Sequence, residues 1–126
     1  MVQVDISQLT GECTAWREKL RQYRESFQKN EIQLQQTTRQ PLSKEQLQDV
    51  EHLHNQFHIQ LINIHDLKQA IKGHDRRMNF EKSAFNGHVN EESLAEHEKL
   101  FDEYQSLEHT LQELNNEFSD FLKKTT

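Results

Sequence analysis

Histidine offers the plainest chemistry in this sequence, because an imidazole ring can bind a metal or exchange a proton near neutral pH. The chain contains eight histidines in 126 residues. His54 and His58 are four residues apart, so both lie on one face of a helix. Glu51 precedes His54 by three residues, and this E-x-x-H spacing occurs in di-iron helical bundles. With His97 from a later segment, one hypothesis is a metal- or small-ligand-binding helical bundle that uses Glu51, His54, His58 and His97.

The alternative is that these histidines form a partly exposed polar face. A di-iron site needs a second E-x-x-H motif or further inward carboxylates from facing helices. Glu96 and Glu98 flank His97, but they do not repeat the motif, and the first predicted helix has no histidine. This alternative is favoured, so the sequence predicts no cofactor.

The sequence contains one cysteine, Cys13, between Leu9 and Trp16 on an apolar stripe. A reactive thiolate needs an accessible, electropositive setting, so Cys13 is predicted to belong to the core. A single cysteine cannot form an internal disulfide, which is typical of a reducing compartment. No signal-peptide pattern is visible, and we expect a cytoplasmic protein. The common nucleotide, zinc and hydrolase motifs are missing from the sequence, which predicts a protein that is not an enzyme.

The elements that must position these residues begin with three similar segments. Asp5, Ser43 and Asn90 are each followed by a polar helical sequence with a Leu four residues later. Short polar side chains of this kind accept hydrogen bonds from the free N–H groups of a first helical turn. In the first two segments a Gln three residues after the cap can complete a capping box, and an apolar residue before each cap can form a hydrophobic staple.

The ends of the helices are also visible. Pro41 follows a polar stretch and separates the first two helices, and Asn86-Gly87 tolerates the positive φ of a turn. Gly73 lies inside the second helix and leaves open whether that helix breaks there. The predicted helices lie near 6–38, 44–83 and 91–123, within a single domain covering 1–126.

Apolar residues recur at alternating spacings of three and four in the first and third helices, which is the pattern of a coiled-coil seam. The second helix has a broader apolar side and is predicted to lie between the other two. Asn30 occupies a seam position and is predicted to set the register. Because short connections make neighbouring helices antiparallel, the fold class is all-α: three long helices in an up-down-up, coiled-coil-like bundle.

Apolar residues outside the seams predict a second buried surface. Ile59, Ile62, Phe101 and Leu122 lie at the margin of the bundle. They favour a non-enzymatic interaction or scaffold module that self-associates or docks a partner helix, with a homodimer or another protein as the partner.

Net charge and hydropathy indicate whether a nucleic acid or a membrane is a partner. The formal charge of −6 disfavours a general nucleic-acid-binding protein. The sequence lacks an apolar run of about 20 residues, so no membrane span is predicted. Lys68, Lys72 and Arg76 form a short basic stripe, for which a phosphate or an acidic partner helix is the functional hypothesis and a solvated edge the simpler one.

Overall fold

The computed structural model describes residues 2–3 and 5–125 and confirms a helical bundle. Three helices account for most of these residues: α1 (Ile6–Thr37), α2 (Lys44–Ala84) and α3 (Glu91–Thr125). Two short strands, β1 (Val2–Gln3) and β2 (His88–Val89), pair antiparallel, with Val2 opposite Val89. The strand pair was not predicted, and it ties the start of the chain to the α2–α3 turn. None of the described helices has a stretch long and apolar enough to cross a membrane.

The predicted caps are present at all three helix starts. Asp5 accepts a hydrogen bond from the N–H three residues on at 3.3 Å, and Asn90 Oδ1 accepts from the N–H two residues on at 2.8 Å. Ser43 and Gln46 form the full capping box, with bonds of 3.1 and 2.9 Å. Val4, which belonged to the first predicted staple, lies outside the described residues. These local bonds explain why the helix starts could be found from sequence.

The turn between α2 and α3 uses the left-handed backbone predicted for it. Asn86 has φ of 54° and Gly87 has φ of 87°. Both residue types adopt this region at low cost, so the chain can reverse direction there. Upstream, α2 continues without a break through Gly73.

Cross-helix contacts give the topology. They are Arg17–Asp75 and Glu31–His54 between α1 and α2, and His74–His97 and His52–Glu117 between α2 and α3. In each pair of contacts, residue numbers rise along one helix while they fall along the next. Neighbouring helices are therefore antiparallel, and α1 and α3 run in the same direction, as predicted.

The core contains an aromatic cluster with one ring from each helix. Phe57 of α2 packs edge-on against Phe27 of α1 and Phe118 of α3, with ring centroids 5.1 and 5.3 Å away. Phe27 and Phe57 have no exposed surface. Since only α2 contacts both partners through this cluster, it occupies the central position that its broad apolar side predicts.

A buried carboxylate connects α2 to the start of α3. Glu81 is 4% exposed, and its Oε1 accepts a hydrogen bond from Ser93 Oγ at 2.7 Å. Its Oε2 accepts from the backbone N–H of Asn90 at 3.2 Å, and Arg77 lies 3.5 Å from Oε1. Glu81 therefore accepts hydrogen bonds from two donors that would otherwise have no partner at this turn.

We expect Glu81→Ala to lower the free energy of unfolding by about 1–3 kcal/mol, because Ser93 and Asn90 lose their acceptor. Urea unfolding followed by helical circular dichroism measures this change. Glu98→Ala removes an exposed carboxylate from α3 and is the matched control, with an expected change within about 0.5 kcal/mol. Equal effects of the two substitutions would contradict the structural role of Glu81.

Candidate metal centre

Three buried side chains, one from each helix, meet near the end of the bundle that carries the α2–α3 turn. Cys13 of α1, His74 of α2 and His97 of α3 offer donor atoms that all lie within 4.8 Å of one another. His74 Nε2 is 3.1 Å from His97 Nδ1, and Cys13 Sγ is 4.0 Å from the same His97 nitrogen. Among the side chains of residues 5–125, no second group of three or more potential metal ligands is this compact.

Each of the three residues is placed by the apolar periodicity of its helix. Cys13 and His97 occupy positions in the apolar seams of α1 and α3. His74 lies three residues after Ile71 and four before Met78, so it fills a gap in the apolar stripe of α2. Because these positions face the interior, Cys13 is fully buried and the two histidines are each 5% exposed.

The spacing is close to that of a tetrahedral zinc site. With Zn–N bonds near 2.0 Å and a Zn–S bond near 2.3 Å, ligand atoms lie roughly 3.3 to 3.6 Å apart. The observed separations of 3.1 and 4.0 Å bracket this range. The widest separation among the three donors, up to 4.8 Å, exceeds this range by about 1 Å, so the donors must move closer together before they can share one ion.

A carboxylate and an aromatic ring lie beside His97. With Nδ1 facing the cluster, His97 Nε2 lies 3.4 Å from Glu12 Oε1. The two atoms are close enough for electrostatic attraction, although they are not aligned as a hydrogen bond. The Trp16 ring covers His97, with centroids 4.8 Å apart. A carboxylate behind a ligating imidazole fixes its orientation and increases its basicity.

His74 carries an unsatisfied polar atom. Its Nδ1 is buried and has no hydrogen-bond partner within the described part of the chain. Its Nε2 faces His97. A buried polar atom without a partner costs free energy. The packing of α2 and the contact with His97 must offset this cost to keep the ring in place.

Burial shifts two of the three groups toward their neutral forms. It raises the pKa of the Cys13 thiol to about 12, with Asp75 and Glu12 adding to the effect and Arg17 opposing it. It also lowers the pKa of His74, and the neighbouring His97 lowers it further. A raised thiol pKa argues against a nucleophilic cysteine. A neutral His74 is ready to bind a metal, whereas Cys13 must first lose its proton.

In the metal-free protein, we expect the free energy of unfolding to fall as the pH falls below about 6.5, the usual pKa of histidine. The pKa of His74 is lower in the folded than in the unfolded state. The stability that neutral His74 contributes is therefore fully present above the pKa of the unfolded state, and it is lost as the pH falls through the pKa of the folded state. His97 and Arg77 disfavour the charged ring, whereas Glu96 and Asp75 favour it.

Urea unfolding in EDTA between pH 5 and 8 measures this dependence. His74→Phe should flatten the curve, whereas His58→Ala, an exposed histidine on the same helix, should leave its slope unchanged. A slope that is the same in wild type and His74→Phe would assign the acid sensitivity to other groups.

The structure does not bring together the four residues proposed from the E-x-x-H spacing. Glu51, His54 and His58 are exposed on the first half of α2. His54 Nδ1 lies 3.7 Å from Glu31 of α1. His97 lies beside His74, which is 16 residues beyond His58, or roughly 24 Å along the helix. His97 therefore has different neighbours from those proposed.

The four margin residues also lie on different parts of the surface. Ile59 and Ile62 are 45% and 49% exposed on α2. Phe101 is 39% exposed and stacks on Trp16 of α1, with centroids 5.7 Å apart. Leu122 is partly buried against the core, 21 residues or roughly 30 Å along α3 from Phe101. Ile59 and Ile62 alone form a compact pair.

The Cys13–His74–His97 cluster was not predicted from the sequence. The available signal was that each residue occupies an apolar seam position, where a polar or ionisable side chain needs a partner. Comparisons with protein-family profiles, curated protein sequences and solved structures find no match to this chain.

Proposed function

We propose that this protein is a metal-binding helical bundle in which Cys13, His74 and His97 hold one Zn²⁺ ion. The observation that carries the proposal is the meeting of one thiol and two imidazoles, one from each helix, in a buried cluster. Two of the donors come from Cys13 and His97, which are 84 positions apart in sequence. Such a site exists only when the three helices are correctly packed.

The donor set selects the kind of metal. Thiolate and imidazole ligands suit Zn²⁺ and copper, whereas Mg²⁺ and Ca²⁺ prefer oxygen ligands. Three protein ligands leave the fourth position of a tetrahedral ion for water or a small ligand. The site is enclosed by Trp16 and the seam residues, so the fourth ligand must be a water or another molecule small enough to fit inside the bundle.

Titration of the metal-free, tag-free protein with Co²⁺ tests the site directly. A thiolate-to-cobalt charge-transfer band in the ultraviolet that saturates at one ion per chain would support the proposal, and Zn²⁺ should displace the cobalt. Cys13→Ala should abolish the band, and His97→Ala should weaken binding strongly.

The double variant His54→Ala/His58→Ala is the control, because it removes two exposed histidines from α2. It should bind like wild type. Absence of a thiolate band, or binding that is lost in the control and retained in Cys13→Ala, would overturn the assignment. The second outcome would favour a site on the exposed histidine face instead.

We also propose that the protein self-associates through the outer face of α2. Ile59 and Ile62 lie one turn apart, with about half of each side chain exposed. Both are close to the middle of a helix that spans Lys44–Ala84. In an antiparallel pair of α2 helices related by a two-fold axis, residues near the middle contact their own copies, which buries this apolar pair.

Charge supports the same arrangement. The first half of α2 carries mainly acidic side chains, including Asp49 and Glu51, and the second half mainly basic ones, including Lys72 and Arg76. An antiparallel pair places each acidic half beside the basic half of the other copy. Complementary charges of this kind guide orientation more than they add affinity.

Absolute mass by light scattering across a concentration series tests the second proposal. We expect about twice 15.1 kDa for wild type and the monomer mass for Ile62→Asp, with unchanged helical circular dichroism. Ile32→Asp alters a similarly exposed isoleucine on α1 and should remain dimeric. A monomeric wild type at all concentrations would overturn the proposal.

A further inference from the structure

A cleft between α1 and α2 is lined on both walls by basic side chains. It has a volume of about 450 Å³. Its lining residues are Thr14, Arg17, Glu18 and Arg21 from α1, and Lys68, Gln69 and Lys72 from α2. We call this feature the α1–α2 cleft. It gathers basic side chains from two helices, among them Lys68 and Lys72 of the predicted basic stripe, in a chain whose formal charge is −6.

The cations of the α1–α2 cleft are only partly neutralised. Arg17 Nη2 lies 3.5 Å from Asp75 Oδ2, and Arg21 is paired with Glu18 and Glu25. Across the described residues, Lys68 and Lys72 have no ion-pair partner. The two lysines therefore offer charged donors that no side chain of the bundle uses.

Lys68 shows the effect of the positive charges that surround it. Its pKa is lowered, first by burial and then by the positive charges of Arg24, Arg21 and Arg17. An ammonium group held among guanidinium groups gains from a nearby negative charge. An anion in the cleft would supply that charge without rearranging the Arg21 ion pairs.

We infer that the α1–α2 cleft binds a compact, multiply charged anion of the phosphate class, held by the unpaired Lys68 and Lys72 on one wall and attracted by the positive charges of Arg17 and Arg21 on the other. Guanidinium and ammonium groups are the side chains that recognise phosphate oxygens. The lining residues lack a large apolar side chain, which argues against a hydrophobic ligand.

The charge of the whole chain limits the size of the anion. The chain carries a formal charge of −6, and residues 87–126 contain many more acidic than basic side chains. Like charges outside the cleft would repel a nucleic acid or an anionic bilayer. A small anion can occupy the cleft without approaching those residues.

Isothermal titration with inorganic pyrophosphate, in EDTA and at low ionic strength, tests this site independently of the metal centre. We expect saturable binding of one pyrophosphate per chain. Lys68→Ala/Lys72→Ala should weaken it by roughly tenfold or more, because charge-assisted hydrogen bonds are lost. Lys82→Ala/Lys99→Ala removes the same charge from exposed positions elsewhere and should bind like wild type.

Two results would overturn the inference. One is the absence of saturable heat, and the other is equal weakening in both double variants, which would indicate only a general charge effect. A sedimentation assay with phosphatidylserine vesicles distinguishes the source of the phosphate. Vesicle binding without pyrophosphate binding would assign the basic residues to a lipid surface and reject a free anion.

Discussion

Zinc is expected to raise the free energy of unfolding by about 4 kcal/mol when the free ion is about a thousandfold above its dissociation constant. The reason is that Cys13 and His97 are 84 residues apart in sequence and share an ion only in the folded bundle. For a domain of this size, the gain corresponds to a rise in Tm of roughly 15 °C. Thermal unfolding in buffers of fixed free zinc measures it.

The rise in Tm that zinc causes, rather than the Tm itself, identifies the metal ligands. Cys13→Ala and His97→Ala change core residues and will lower the stability of the metal-free protein as well. Each should nevertheless lose most of the zinc-dependent rise in Tm. His58→Ala, which alters an exposed histidine, should retain all of it. A zinc-dependent rise that survives in Cys13→Ala would show that the ion binds elsewhere.

The register that assembles this site is visible in a second contact between the same helices. Asn30 Nδ2 donates to Asn115 Oδ1 at 3.3 Å, and the two residues are 85 positions apart in sequence. Cys13 and His97, with a separation of 84, contact each other near the other end of these parallel helices. The Asn30–Asn115 pair therefore lies in the same register as Cys13 and His97, and the register-setting role of Asn30 stays a prediction.

The helices were predictable because their signals are local. Ser43 with Gln46, and Asn90 after Val89, are recognisable within a few residues, and the observed helix ends differ from the predicted ones by two residues at most. The pairing of β1 with β2 was not predictable in the same way. It joins residues 2–3 to residues 88–89, and two-residue strands carry no periodic pattern.

The candidate metal centre was missed for a physical reason. Spacing within one segment shows which residues share a helix face, and this drew attention to His54 and His58. A site built from three helices depends instead on register across the bundle, which spacing within one helix does not give. The useful sequence signal was His74, an ionisable residue in the gap between Ile71 and Met78 of the apolar stripe.

Phe57→Ala is expected to lower the free energy of unfolding by about 3–5 kcal/mol. The ring is fully buried and packs on Phe27 and Phe118, so truncation leaves a cavity shared by all three helices. Urea unfolding measures the change, and Phe80→Ala is the matched control. Phe80 is 68% exposed on the same helix, and its truncation should change stability by about 0.5 kcal/mol or less.

The same variant separates packing from metal binding. Phe57 precedes His74 by 17 residues, or roughly 25 Å along α2, and distant sites contribute additively to stability. Phe57→Ala should therefore keep the full zinc-dependent increment although its metal-free stability is much lower. A reduced increment would contradict this independence, because it would show that the loss of the Phe57 ring disturbs the helix register that positions the three donors.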